Sequence, residues 1–224
     1  MGMTTRPSEY KAFLLTAVEW KTVCSIHFTL LRVRLISDLT HFLKKAPCEN
    51  TFRAIEQAML SSKVCDVTGI VAIACARHGC FAPNSIVDLF RGEQQKNVDW
   101  AFLESLRTTN IVPEQGVMLI YDIACQYSIH LRERIGHLLP TGLAINQAIG
   151  LFHVHAHKEK CLFRYATSFI PGSGIMAGEI LESLWLGLNT ITPTAQTATL
   201  AHHAEIIDEH VADSNHKKTL AIGM

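Results

Sequence analysis

The sequence has no excess of charge of either sign: 20 Lys and Arg stand against 20 Asp and Glu, for a formal net charge of +0 and a pI near 7.2. Proteins that grip the nucleic-acid backbone unaided carry a clear basic excess, so a nucleic-acid substrate would have to be held by a local patch or by additional residues. Long apolar runs are missing too. The longest, such as Ile70 to Ala76, fall far short of the roughly 20 residues of a membrane span. The N-terminus lacks a continuous apolar stretch before a small-residue cleavage site, and Arg6 stands where a myristoylation signal opening with Met1-Gly2 needs Ser or Thr. No two of the 7 cysteines have C-x-x-C spacing, and an odd number at irregular intervals argues for free thiols in a reducing, intracellular compartment rather than for a disulfide framework. No repeat or low-complexity tract is present, which excludes a solenoid.

What is there suits one packed core. Hydrophobic residues make up 48% of the 224, with a mean hydropathy of +0.18, enough to bury a single domain. Residues 1–46 differ in texture from the remainder and are read as an unassigned N-terminal extension. They are helix-like up to Trp20, and His27 to Leu35 then partly alternates apolar with polar residues. Ala46 to Asn50 marks a break, and Thr51 to Ser62 has helical spacing. The β-branched run from Val67 to Cys75 suits a strand buried on both faces, joined through His78 to Asn84 to a second at Ser85 to Phe90. Gln94 to Arg107 reads as a helix, Val117 to Tyr121 as a strand, and residues 123–138 as helical. Ala148 to His155 reads as a strand, Ala177 to Leu188 as a helix ending before Pro193, and Thr199 to Asp213 as a further helix. The order predicts an α/β fold around a mixed sheet flanked by helices.

Asp122 follows an apolar strand, where open α/β sheets present residues to ligands; the competing reading is a helix N-cap. Glu179 and Glu182 are three residues apart on one helix face, an arrangement that is usually only solvated but that can also join a metal site. His153, His155 and His157 alternate, so on a strand all three point one way, with Cys161 a turn further on, which makes the four candidate ligands for a structural Zn2+. Cys75, His78 and Cys80 form a second small cluster, better read as buried thiols. Gly172-Ser173-Gly174 could free backbone N–H groups for a phosphate, although such a sequence is more often a turn, and Trp185 is expected to pack beneath the site rather than to stack on a base.

These motifs occur in a set order. Cys48-Glu49-Asn50-Thr51-Phe52, Cys75 to Phe81, Arg91 to Trp100, Tyr121-Asp122-Ile123-Ala124-Cys125-Gln126-Tyr127, His153 to His157, and Gly178-Glu179 through Trp185 with Leu188-Asn189 together resemble the catalytic domain of the Kyakuja–Dileera–Zisupton (KDZ) transposases common in fungal genomes. The resemblance covers about residues 47–220. It implies an RNase H-like fold, a nuclear DNA-acting protein that binds transposon ends, and an acidic DDE-type triad holding Mg2+ or Mn2+ for two-metal phosphoryl transfer. On that resemblance Asp122 is the second acid, and Glu179, or alternatively Glu182, is the third. The first is expected in an Asp-x-Asn-Phe segment on the first, central strand, and residues 1–46 contain no such segment; their one Asp is Asp38, without the motif. The resemblance therefore implies a catalytic-core fragment, residues 47–224, with its first central strand missing and little or no activity, and with a gap that His27 to Leu35 does not fill. Two other readings stand beside it: a non-catalytic DNA- or protein-binding module on the same fold, and a zinc hydrolase built on His153, His155, His157 and Cys161.

Overall fold

The structure is a computed structural model and describes residues 27–32 (backbone only), 48, 66–90, 93–174 and 176–222. The helix-like stretch up to Trp20, Asp38 and the helical spacing over Thr51 to Ser62 lie outside the described residues. The described part is a mixed α/β arrangement, a five-stranded sheet with helices on both faces. In chain order the strands are β1 (His27–Arg32), β2 (Gly69–Cys75), β3 (Val87–Leu89), β4 (Val117–Ile120) and β5 (Ile145–Ala148).

Their order across the sheet is β3-β2-β1-β4-β5. β2 runs antiparallel to both β1 and β3, whereas β1, β4 and β5 are parallel. This corrects the expectation of a missing central strand. His27–Arg32 occupies the centre, pairing Phe28 with Cys75 of β2 on one side and with Leu119 of β4 on the other. The physical reason is the cost of the alternative. Fully buried β2 and β4 would otherwise each leave a row of backbone donors and acceptors unpaired, at about 1–3 kcal/mol per group. Arg32, which fits poorly in a strand covered on both faces, falls at the last position of β1.

Every residue of β2 is buried, and its period of two sorts them between two cores. Val71, Ile73 and Cys75 share one core with Val98, Phe102 and Leu106 of helix α1 (Gln95–Thr108). Ile70, Ala72 and Ala74 face Leu181, Leu184, Trp185 and Leu188 of a long helix, Ile180–Thr197, and Ile207 and Val211 of another, Leu200–Ile222. Helix α1 forms where Val98, Ala101, Phe102 and Leu106 recur at helical spacing, and it ends where the Thr109 N–H and hydroxyl both donate to the Ser105 carbonyl. Phe102 is fully buried, so Phe102→Ala would cost about 3–5 kcal/mol.

Three further expectations change. Pro193 does not end its helix, which continues to Thr197 with the proline inside it. Residues 123–138 do not form one helix; they break into α2 (Ala124–Tyr127), α3 (Leu131–Ile135) and intervening 3-10 turns. The strand expected over Ala148 to His155 ends at Ala148. The chain turns at Gly150 into α4 (Leu151–Val154), with the Val154 N–H bonded to the Gly150 carbonyl, and is followed by α5 (Glu159–Tyr165). The alternating histidines are therefore not on a strand. The long helices Ile180–Thr197 and Leu200–Ile222 are α6 and α7.

Because β1, β4 and β5 are parallel, their C-terminal ends emerge at one edge of the sheet. Asp122 lies just past β4 there, and α4 lies just past β5.

Candidate functional site

Asp122 sits in the turn between β4 and α2, one residue beyond Tyr121, whose N–H donates to the Ala148 carbonyl of β5. The N-cap alternative is not realised: Ile123 holds the cap position of α2, and no side chain caps it. The Asp122 carboxylate instead faces α4, where His153 Nε2 lies 3.7 Å from Asp122 Oδ1, 3.4 Å from Glu179 Oε2 and 3.6 Å from Glu182 Oε1. Three carboxylates from two separate regions thus surround one imidazole nitrogen. Glu179 is the N-cap residue of α6 and Glu182 lies in its first turn, so the expected pair is present at the helix start.

Two glycines make this approach feasible. A Cβ on Gly150 would stand 2.3 Å from Glu179 Oε1, so any other residue there would push the carboxylate from its place over the backbone entering α4. Gly178 has φ +80, a conformation that favours glycine, and its own Cβ would meet Gly150 Cα at 3.1 Å. The fold then fixes the glutamate: Glu179 Oε1 accepts the Phe152 N–H at 2.9 Å, and the Leu151 N–H donates to the Ala177 carbonyl at 2.8 Å. With Oε1 held by the backbone, Oε2 faces His153. An open cleft of about 340 Å³, lined by Arg77, Ser173, Gly174, Met176 and Gly178, runs up to Glu179. Gly174 reaches this cleft, but the Ser173 hydroxyl is used internally, on the carbonyls of Thr167 and Ile170. Trp185 is buried in the core beside β2, away from any base-stacking role.

The expected zinc donors are divided rather than joined. His153 belongs to the acidic group and His155 is exposed, whereas His157 and Cys161 meet two residues that spacing did not single out as ligands, Cys48 and Cys125. In this second group the donor atoms all lie within 4.8 Å of one another. His157 Nδ1 is 3.5 Å from Cys125 Sγ and 3.7 Å from Cys48 Sγ, close to the separations that tetrahedral zinc with bonds of about 2.0–2.3 Å imposes. Three thiols and one imidazole, with no carboxylate among them, form a donor set suited to zinc and unsuited to Mg2+. Burial pushes the Cys125 and Cys161 thiols up and is the main cause that pushes His157 down. A cation must therefore displace thiol protons, while it finds the imidazole already neutral. His157 and Cys161 are four residues apart and Cys125 is three past Asp122, signals that sequence could have offered. Cys48 arrives from 77 residues before Cys125, which no local spacing reveals.

The Cys75 and His78 pair, with Cys75 Sγ 3.5 Å from His78 Nδ1, lies in the β2–β3 connection. Among the described residues it does not extend to a third donor; only the two groups above do.

The family model described as Kyakuja-Dileera-Zisupton transposase matches residues 9–215, so the chain belongs to the KDZ transposase family. The match takes in β1 as well as the segments that carried the resemblance. No curated protein and no solved structure matches the chain. No described helix is long and apolar enough to cross a membrane.

Proposed function

We propose that this chain is an RNase H-like transposase catalytic core that keeps a divalent-cation site and a DNA-facing surface but has lost strand-cleaving activity. The observation that carries the reading is the meeting of Asp122, Glu179 and Glu182 around His153 at the C-terminal edge of parallel strands. The order β3-β2-β1-β4-β5, with only β2 antiparallel to its neighbours, supports the RNase H-like assignment.

The acidic side chains fit Mg2+ or Mn2+. They are hard oxygen donors, and the Gly150 cradle orients one Glu179 oxygen inward. Asp122, Glu179 and Glu182 would hold the cations, whose chemistry in such sites would be to stabilise the attacking and leaving oxygens of an in-line displacement. The chain's own residues set the geometry: the Phe152 N–H fixes Glu179, the turn after β4 presents Asp122, and Arg77 lies across the cleft, where a phosphodiester would be neutralised. The deficit is in β1. Its sequence His27-Phe28-Thr29-Leu30-Leu31-Arg32 has no carboxylate, although the strand runs beside β4 in register with the residues leading to Asp122. Losing one acid of a triad costs several kcal/mol of transition-state stabilisation. The Cys48, Cys125, His157 and Cys161 group is a structural zinc site on this reading, not the centre of a hydrolase.

On this reading the partner is DNA and the compartment the nucleus, as membership of the transposase family suggests. The test is to incubate the purified chain with supercoiled plasmid and Mg2+ or Mn2+, and to measure binding to duplex DNA by anisotropy at two salt concentrations. Salt-sensitive binding without nicking is expected. Metal-dependent nicking abolished by Asp122→Asn would overturn the loss of activity, and no DNA binding at low salt would overturn the reading altogether.

A further inference from the structure

We infer that His153 is itself a ligand of the cation in the acidic site, making that site one of three carboxylates and one imidazole that prefers Mn2+ to Mg2+. The inference rests on the proposed function, because it takes the acidic group to be a cation site. It differs from the zinc reading, which would have placed His153 among the softer donors.

The geometry makes the argument. His153 Nε2 is 3.4–3.7 Å from an oxygen of each of three carboxylates. Hydrogen bonds from a ring N–H run at about 2.7–3.2 Å, so the nitrogen is hydrogen-bonded to none of them and faces all three across a gap. Adjacent ligands of an octahedral ion with bonds of about 2.0–2.1 Å stand roughly 3 Å apart; a small movement of half-buried Glu179 and exposed Glu182 would close that difference, and Asp122, outside this tighter set, would have to swing further in. Nε2 and one oxygen each of Glu179 and Glu182 already lie within 4.8 Å of one another. The second observation is that Glu179 is shaped for this use. Gly150 is bare where any Cβ would strike the carboxylate, and the Phe152 N–H holds Oε1, leaving Oε2 turned to His153. Phe152 and His153 are neighbours in the same short helix, so one turn of chain both orients an acid and supplies the nitrogen.

One imidazole among carboxylates changes what the site selects. Mg2+ takes oxygen ligands almost alone, whereas nitrogen donors raise affinity along the transition series, starting with Mn2+. The thiolate-rich group nearby suits softer ions, so Mn2+ added alone reports on the acidic site.

The experiment is electron spin echo modulation of Mn2+ bound to the purified chain, together with Mn2+ and Mg2+ titrations of wild type, His153→Ala, His153→Gln and the exposed control His155→Ala. Expected are nitrogen modulation in wild type and His155→Ala, its loss in both His153 variants, and a fall in Mn2+ affinity of at least about tenfold, the low end for loss of even an outer-shell partner. Mg2+ affinity should fall much less. Circular dichroism identifies a variant that fails to fold, and the wild-type spectrum stands without it. Mn2+ binding abolished by Asp122→Asn but lacking nitrogen modulation would overturn the role of His153 and leave the acidic site intact. No Mn2+ binding by wild type would overturn the acidic site and this inference with it.

Discussion

Substituting Cys48 by Ser should convert a zinc-dependent melting temperature into a zinc-independent one. Cys48 is buried, and its sulfur faces His157 Nδ1 in a group completed by Cys125 and Cys161. A ligand that binds only the folded state adds about 2.7 kcal/mol at a hundred times its dissociation constant. For a chain of 224 residues each kcal/mol moves the midpoint by about 2–4 °C, so zinc at that excess should raise Tm by about 5–11 °C over the chelated protein. Serine would itself lower stability in a buried place. The control is therefore Cys75→Ser, equally buried but outside the group, which should lose stability while keeping the zinc-induced rise. The assay is thermal denaturation of wild type and both variants with zinc or with a chelator, alongside metal content by mass spectrometry. A wild-type Tm indifferent to chelation, or a Cys48→Ser protein that retains one zinc and the full rise, would refute the four-ligand geometry.

Other substitutions test the frame that holds the site. The buried Asp99 carboxylate accepts the Tyr127 hydroxyl at 2.6 Å and Arg134 Nε at 2.7 Å, and Arg134 also stacks over the Tyr127 ring. Asp99→Ala should cost about 2–4 kcal/mol in urea denaturation, below the full value of a buried pair because Arg134 keeps some contact with water; a loss under about 1 kcal/mol would count against the network. The Asn215 side chain accepts the Phe81 N–H at 2.7 Å and donates to the Phe81 carbonyl at 3.0 Å, pinning α7 to the sheet edge. Asn215→Leu should therefore destabilise by about 2–4 kcal/mol and speed hydrogen exchange at the Phe81 amide. His203 Nε2 lies 3.4 Å from Asp88 and Nδ1 3.2 Å from the Ala195 carbonyl; with acceptors on both sides the ring favours its doubly protonated form, and its pKa is raised, chiefly by Asp88. A raised folded pKa means that the contribution is complete below the ordinary value of about 6.5 and is lost as pH rises through the higher folded value. Unfolding free energy should fall over that window in wild type and not in His203→Gln.

The fold was legible where one residue type dominates a segment. The β-branched run of β2 and the apolar spacing of α1 show directly in composition and period, and both elements are found within two residues of where pattern places them. β1 was not legible as a central strand, because its place depends on the unpaired edges of β2 and β4 and not on its own mixed pattern. Alternation misled at the histidines. His153, His155 and His157 have the period of a strand, but Gly150 turns the chain first, so α4 and the turn after it send His153 and His157 to different groups. In the candidate site, Asp122, Glu179 and Glu182 stood out from motif and spacing, whereas the place of His153 among them required a tertiary contact between the ends of β4, β5 and the start of α6.

The two groups of side chains are mechanically one device. Cys125 follows Asp122 by three residues and His157 follows His153 by four, so the segments that present the acid and the imidazole also end in zinc donors. A zinc ion held by Cys48, Cys125, His157 and Cys161 would fasten the turn after β4 to the segment after β5, independently of any cation at the acids. Carboxylates so close together repel one another, and without a rivet they would tend to spread whenever their own cation leaves. With zinc there the turn bearing Asp122 would keep its place without a cation at the acids, while Glu179 is held separately by the Phe152 N–H. A division of this kind, in which one group would hold the geometry and another would use it, lets Asp122 and Glu179 stay beside His153 although β1 carries no acid.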